Sequence, residues 1–150
     1  KTLNDQFPPH ISSVLAKLPV DNSYIKATFN EPVFTNNNGS GDLVAADFVL
    51  SVSGGTGTLS SATPSKVTKS SNTYTLDFSL ASISNGSETI KVDLASNAVF
   101  DAAGNVAKAT QTNNTSTLRD GRLQIAHEKS MYNSNSQYFT TLRDSRTGYT

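Results

Sequence analysis

Four segments of this chain alternate apolar and polar residues with a period of two, which is the spacing of a strand with one face buried and one wet. Tyr74, Leu76, Phe78 and Leu80 fall on one side of such a run, and Thr75, Asp77 and Ser79 on the other. Ile90, Val92 and Leu94 alternate with Lys91 and Asp93; Ile25, Ala27 and Phe29 alternate with Lys26 and Thr28. Phe48, Leu50 and Val52 alternate with Val49 and Ser51. Residues tolerant of turn geometry separate the runs: Asn36 to Gly41, Gly54 to Gly57, Ser70 to Asn72 and Ser84 to Ser87. This rhythm predicts about seven or eight short strands and almost no helix, apart from one short helical turn near Leu43 to Asp47. Strands at this spacing pack as an antiparallel β-sandwich.

A phrase repeated at one-domain distance frames the strands. Thr2-Leu3-Asn4-Asp5 opens the chain, and Thr117-Leu118-Arg119-Asp120 recurs 115 residues later. A linker phrase at that spacing is the mark of a module from a tandem array. The chain begins at Lys1 without Met or signal peptide, as a fragment of a longer protein would. Residues 1–10 read as an inter-repeat linker stiffened by Pro8-Pro9. Residues 11–120 read as the sandwich, and residues 121–150 as a C-terminal extension or the start of another module. That last segment holds two expected strands, Arg122 to Ala126 and Tyr138 to Leu142, which could form a hairpin or be donated to a neighbour. The short echo Thr141-Leu142-Arg143-Asp144 is treated as coincidence.

Composition narrows the function. A chain of 150 residues is one domain with an appendage, long enough to bury a core. Formal net charge is zero, which argues against binding to nucleic acid or a charged membrane surface. The absence of cysteine excludes a disulfide framework and thiol catalysis. No apolar stretch reaches membrane-spanning length. Ser and Thr together number 39, with 14 Asn besides, and Trp is absent, a polar balance common in secreted β-proteins. Four sequons occur, at Asn38, Asn85, Asn113 and Asn114; a chain this rich in Asn, Ser and Thr yields several by chance, and they matter only in a eukaryotic source.

Several phrases resemble the immunoglobulin-like repeats of very large bacterial and marine-microbial surface proteins (the bacterial immunoglobulin-like, Big or cadherin-like, tandem repeats). Ala27-Thr28-Phe29-Asn30-Glu31-Pro32-Val33 is similar to that family's "TFSEPV" strand, and Val99-Phe100-Asp101-Ala102-Ala103-Gly104-Asn105 to the "DAAGN" phrase before its last strand. The stretches Asp47 to Gly55, Asn72 to Leu76 and Asn85 to Thr89 follow in the family's order, as does the opening with its Pro-Pro pair. The resemblance covers residues 1–120. It implies an all-β, immunoglobulin-like antiparallel β-sandwich that is extracellular and non-catalytic, of the kind found in adhesins and surface filaments.

In that topology the chain start, the second-to-third strand connection and the connection before the last strand share one pole. Asp5, Glu31, Asp101 and Asn105 should therefore gather there. Carboxylates with amide and backbone oxygens are what calcium requires, and an ion there would fasten the linker to the sandwich. Asp120 could do the same for the following unit. The alternative is that Asp101 and Asn105 build a turn in which Gly104 takes positive φ, and that Glu31 only bonds a loop. The loop Asn36 to Asp42 could add an oxygen but lacks the carboxylate pattern of an EF-hand.

Nothing in the sequence is catalytic in pattern. His10 and His127 are the only histidines and have no third partner for zinc or a triad. There is no G-x-S-x-G elbow, and Gly54, Gly55 and Gly57 lack the Lys-Ser/Thr that would make a phosphate loop. Tyr24, Tyr74, Phe29, Phe48, Phe78 and Phe100 fall at inward strand positions, so they read as core rather than a sugar platform. Phe34 sits at a loop edge; Tyr132, Tyr138, Phe139 and Tyr149 concentrate in the tail. Lys26 and Lys91 alternate outward, which argues against an intramolecular isopeptide bond. The expected function is a non-catalytic structural repeat of a secreted or cell-surface adhesin or filament, a stiff spacer whose partners are neighbouring copies or modules. A variant assembles by strand exchange. The competing classes are a carbohydrate-binding module for cell-surface glycan and an accessory domain of a secreted enzyme.

Overall fold

The computed structural model describes residues 4–16 and 21–122. Among the described residues there are seven strands: β1 (Ile11–Leu15), β2 (Tyr24–Phe29), β3 (Phe48–Ser53), β4 (Lys66–Ser70), β5 (Thr73–Asp77), β6 (Thr89–Leu94) and β7 (Thr115–Thr117). They form two sheets, one in the order β1-β2-β5-β4 and one in the order β3-β6-β7, with every pairing antiparallel. First-second-fifth-fourth against third-sixth-seventh is the strand arrangement of a constant-type immunoglobulin domain. The expected all-β sandwich is what the chain builds.

The alternating runs supply the interior. Ile25, Ala27, Tyr74, Leu76, Ile90 and Val92 are fully buried, and Phe29, Phe48, Leu50 and Phe78 nearly so. Phe29 meets Tyr74 edge to face at 5.6 Å between ring centroids, and Phe48 tilts against the same ring at 5.8 Å. The Phe48 contact joins the two sheets, while Phe29 and Tyr74 are neighbours within one, and each such side chain taken from water contributes about 1.5–3 kcal/mol. Tyr24 and Phe100 are only half-buried. Phe100 lies in a bridge with Phe34 and Val106 that stitches the β2–β3 connection to the β6–β7 connection.

In β1 a bulge between Ile11 and Ser13 interrupts the alternation, and β4 and β7 carry none. β4 reads Lys-Val-Thr-Lys-Ser and is almost wholly exposed, and β7 is only Thr-Ser-Thr. Both are sheet edges, where lysines and short length deter pairing with other chains. A single 3-10 turn at Ala45–Asp47 stands where the helical turn was expected, with the Asp47 carboxylate accepting the Val44 N–H at 2.8 Å. Of the two strands expected after residue 121, all but Arg122 lies outside the described residues, as do the tail aromatics.

The chain enters and leaves the sandwich at opposite poles. At the N-terminal pole the linker meets the β2–β3 and β6–β7 connections: the Lys108 N–H donates to the Pro9 carbonyl at 3.1 Å, and the Phe34 N–H to that of Phe100 at 2.8 Å. At the C-terminal pole the β3–β4 and β5–β6 connections meet the end of β7. There the Ala81 N–H donates to the Thr58 carbonyl at 2.7 Å and the Gly121 N–H to that of Ser84 at 3.1 Å, while Asn85 bridges Asp120.

Candidate functional site

At the N-terminal pole the linker is laced to the sandwich by side chains far away in sequence. His10 and Asn30 exchange two bonds, the His10 N–H to the Asn30 side-chain oxygen at 2.7 Å and the Asn30 N–H to the His10 carbonyl at 3.1 Å. The Ile11 N–H donates to Gln111 Oε1 at 2.7 Å, and the Gln111 amide in turn donates to the Lys108 carbonyl at 2.7 Å. Asn105 Nδ2 reaches back across 100 residues to the Asp5 carbonyl at 2.9 Å. These bonds supply partners that the linker backbone would otherwise find only in water.

Asp101 is the pivot of this pole. Its side chain is buried, at 1% exposure. Its Oδ1 accepts the N–H groups of Ala103 and Asn105, both at 2.8 Å, and its Oδ2 accepts Asn105 Nδ2 at 2.7 Å. Gly104 completes the turn at φ +91°, and a Cβ there would lie 2.6 Å from the Asn37 carbonyl oxygen. The turn expected from Asp-Ala-Ala-Gly-Asn is therefore built, and the β2–β3 loop leans directly on it.

The turn also brings acids together. Carboxylate oxygens of Asp5, Glu31 and Asp101 lie within 4.8 Å of one another, with Asp5 exposed, Glu31 intermediate and Asp101 buried. Asp5 Oδ1 accepts the Phe7 N–H at 2.9 Å, and Glu31 Oε1 accepts Asn30 Nδ2 at 2.9 Å. Among the described residues no ion pair involves any of the three. Two unit charges at that separation repel by about 1 kcal/mol even at the dielectric of water. Carboxylate and backbone oxygens are the ligands a hard cation takes, so these three residues could hold one. Asn105 belongs to the same pole but turns its nitrogen to Asp101 and to the linker, so as arranged it fastens the two rather than offering an oxygen.

Asp120 lies at the opposite pole. It bridges Asn85 and holds Arg122 through two side-chain bonds, Nε to Oδ1 at 3.1 Å and a guanidinium amine to Oδ2 at 3.0 Å. The loop Asn36 to Asp42 closes as a small hairpin between Asn36 and Ser40. Its Asp42 pairs with Lys69 at 2.7 Å, and the Lys69 ammonium lies over the rings of Phe34 and Tyr74 at 5.7 and 6.0 Å. The hydrogen bond that Lys69 donates to the Asp42 carboxylate raises the Lys69 pKa, and burial raises that of the Tyr74 phenol.

A residue that the sequence reading passed over organises the C-terminal pole. The Glu88 carboxylate is fully buried. Its Oε1 accepts the N–H groups of Thr56 at 2.8 Å, Gly57 at 2.6 Å and Asn85 at 2.9 Å; its Oε2 accepts those of Asn85 at 3.1 Å and Gly86 at 2.9 Å. Burial pushes its pKa up, but the N–H groups of Asn85, Gly57 and Thr56 outweigh that and bring it from 4.5 to about 2. One carboxylate thus locks the β3–β4 loop to the β5–β6 loop. Beside it, buried Asn22 donates to Ser84 Oγ at 3.0 Å and the Arg119 carbonyl at 2.9 Å, and accepts the Arg119 N–H at 2.9 Å. A groove of about 390 Å³ opens next to these residues, lined by Asp21, Phe78, Leu80, Ile83 and Gly121 among others. The signal for Glu88 was present in the sequence: it stands two residues before Ile90, in phase with the inward-facing Ile90 and Val92.

The fold and its two laced poles define an immunoglobulin-like β-sandwich built to hold a chain at both ends. No protein-family model and no curated protein matches the sequence. Among solved structures the chain is similar to the S-layer protein rSbsC(31-844), with a TM-score of 0.50 and 21% identity over 77% of this chain and 14% of that one. It is likewise similar to the N-terminal part of the bacterial S-layer protein SbsC, with a TM-score of 0.50 and 20% identity over 75% of this chain and 24% of that one. The likeness establishes the fold, and this chain spans less than a quarter of the length of either structure.

Proposed function

We propose that this chain is a non-catalytic structural unit of a secreted or cell-surface protein, one link of a Big/cadherin-like array that acts as a stiff spacer or filament element. The observation that carries the reading is the placement of the two chain ends. The linker and the chain exit lie at opposite poles, and each is fixed to the sandwich by hydrogen bonds to residues distant in sequence. Units joined that way extend rather than fold back. The repeated Thr-Leu-x-Asp phrase at the two ends and the similarity to two S-layer protein structures support it. Its partners are neighbouring modules or copies. Phe7 is the only exposed aromatic among the described residues, which favours a structural unit over a sugar-binding one.

In this reading Asp5, Glu31 and Asp101 bind calcium and stiffen the linker, with Asn105 holding the linker in register and Asp120 serving the unit that follows. Thermal unfolding with saturating calcium against chelator tests the ion: a ligand at about a hundred times its Kd stabilises by about 2.7 kcal/mol. An unchanged midpoint removes calcium from the proposal. The parent reading frame and surface labelling of intact cells test the array; a parent without further copies of the unit, or one that antibody cannot reach on the cell, overturns it.

A further inference from the structure

We propose that Asn38 is a self-modifying site, at which the Gly39 nitrogen displaces the Asn38 side-chain amide and leaves aspartate or isoaspartate behind. The chain holds two Asn-Gly pairs, Asn38-Gly39 and Asn85-Gly86. In both, the missing glycine side chain leaves the following nitrogen open to approach. The two are held in opposite ways.

Asn38 lies exposed at the tip of the small Asn36–Ser40 hairpin within the β2–β3 connection. Ser40 Oγ donates to Asn38 Oδ1 at 2.5 Å, and Asn36 Nδ2 donates to that hydroxyl at 3.3 Å, which orients its proton toward Asn38. A hydroxyl aimed at the amide oxygen polarises the carbonyl and stabilises the oxyanion that forms when a nitrogen attacks it. The attacking Gly39 N–H is held only by a long bond of 3.3 Å to the Asn36 carbonyl. At the other pair the Gly86 N–H is tied to the buried Glu88 carboxylate at 2.9 Å, and Asn85 Oδ1 is occupied by the Ser87 N–H at 3.0 Å. Attack there requires the Glu88 nest to open first.

The chemistry balances with water as the only co-reactant. The Gly39 nitrogen loses its proton and bonds to Asn38 Cγ; the Cγ–Nδ2 bond breaks and ammonia leaves. Water then opens the resulting succinimide at one of its two carbonyls, giving aspartate or isoaspartate. The product adds one negative charge to the pole that already carries Asp5, Glu31 and Asp101. The isoaspartate form also reroutes the backbone through Cβ, in a loop where Gly39 packs against Ala102 and the Asn37 carbonyl against Gly104.

The test is ageing of the full chain at mildly alkaline pH, with peptide mapping by mass spectrometry and isoaspartate detection, in the folded state and in denaturant. In denaturant the two Asn-Gly pairs should react at similar rates. In the folded chain Asn85 should fall behind Asn38 by about 10- to 100-fold, the factor set by releasing one hydrogen bond to a charged group. Ser40→Ala, which leaves the core untouched, should slow Asn38 by about tenfold while the melting midpoint holds; an exposed hydroxyl is worth less than a donor in a water-free site. Equal rates at Asn38 and Asn85 in the folded chain, or a Ser40→Ala variant that ages as fast as the parent, overturns the proposal.

Discussion

Replacing Glu88 by Gln should cost the domain a measurable share of its stability, and the cost should vanish in acid. Glu88 is fully buried and accepts four different backbone N–H groups, drawn from the β3–β4 and β5–β6 loops. Lowering its pKa from 4.5 to about 2 corresponds, at 1.36 kcal/mol per pKa unit, to about 3 kcal/mol of preference for the folded state. The nest lies under loops that water reaches in part, so about 2–3 kcal/mol is the working figure. A glutamine keeps one oxygen for these donors and turns an NH2 group toward the rest. For a sandwich of this size that loss lowers the melting midpoint by about 8–12 °C. The sign of the pH dependence follows from the depressed pKa. The unfolded chain takes up the proton near pH 4.5 and the folded one only near 2, so the Glu88 contribution is complete above pH 4.5 and is lost as pH falls toward 2. The assay is urea unfolding of parent and Glu88→Gln across that range, because the difference between the two cancels the other carboxylates. A gap that is absent at neutral pH, or that stays constant down to pH 2, refutes the reasoning.

Other outcomes follow from the same geometry. Asn22→Ala removes the side chain that makes three bonds to Ser84 and Arg119 and leaves a non-glycine residue at φ +53°, so it should destabilise by about 2–3 kcal/mol in urea unfolding. Tyr74→Phe loses only a 3.4 Å bond to the Val33 carbonyl and should cost under about 1 kcal/mol, whereas Tyr74→Ala empties the junction of both sheets and should cost about 3–5 kcal/mol. Lys69→Met breaks an ion pair whose Asp42 side chain is 75% exposed and should shift stability by under about 1 kcal/mol, less still in high salt. Glu31→Gln removes one of the three clustered carboxylates without touching the Asp101 turn; relieving about 1 kcal/mol of repulsion should raise the calcium-free midpoint by about 4 °C, and it should shrink the calcium-induced rise that the proposed ion site predicts.

How much of this was written in the sequence depends on whether a residue speaks through period or through place. β2, β3, β5 and β6 were legible because each buries one face, and a one-residue slip would turn the whole apolar set outward. β4 and β7 were not, since an edge strand needs no apolar face and is identified only by the partner it hydrogen-bonds. The gathering of Asp5, Glu31 and Asp101 was legible once the topology was assumed, because connections at one pole are a property of strand order. The use of Asn105 was not: both ends of an amide bond, and only the placement of its neighbours decides which end faces them. Glu88 is the instructive case. Its phase marks it as inward, its charge argues that it must stay wet, and the structure resolves the conflict by surrounding it with N–H groups from loops rich in Gly, Asn and Ser. A carboxylate in phase with a buried run, next to turns able to aim several N–H groups at one point, therefore reads as a lock between those turns. By that criterion Asp93, which stands out of phase beside Lys91 and Asn114, remains a surface acid despite lying in β6, the strand that follows Glu88 directly.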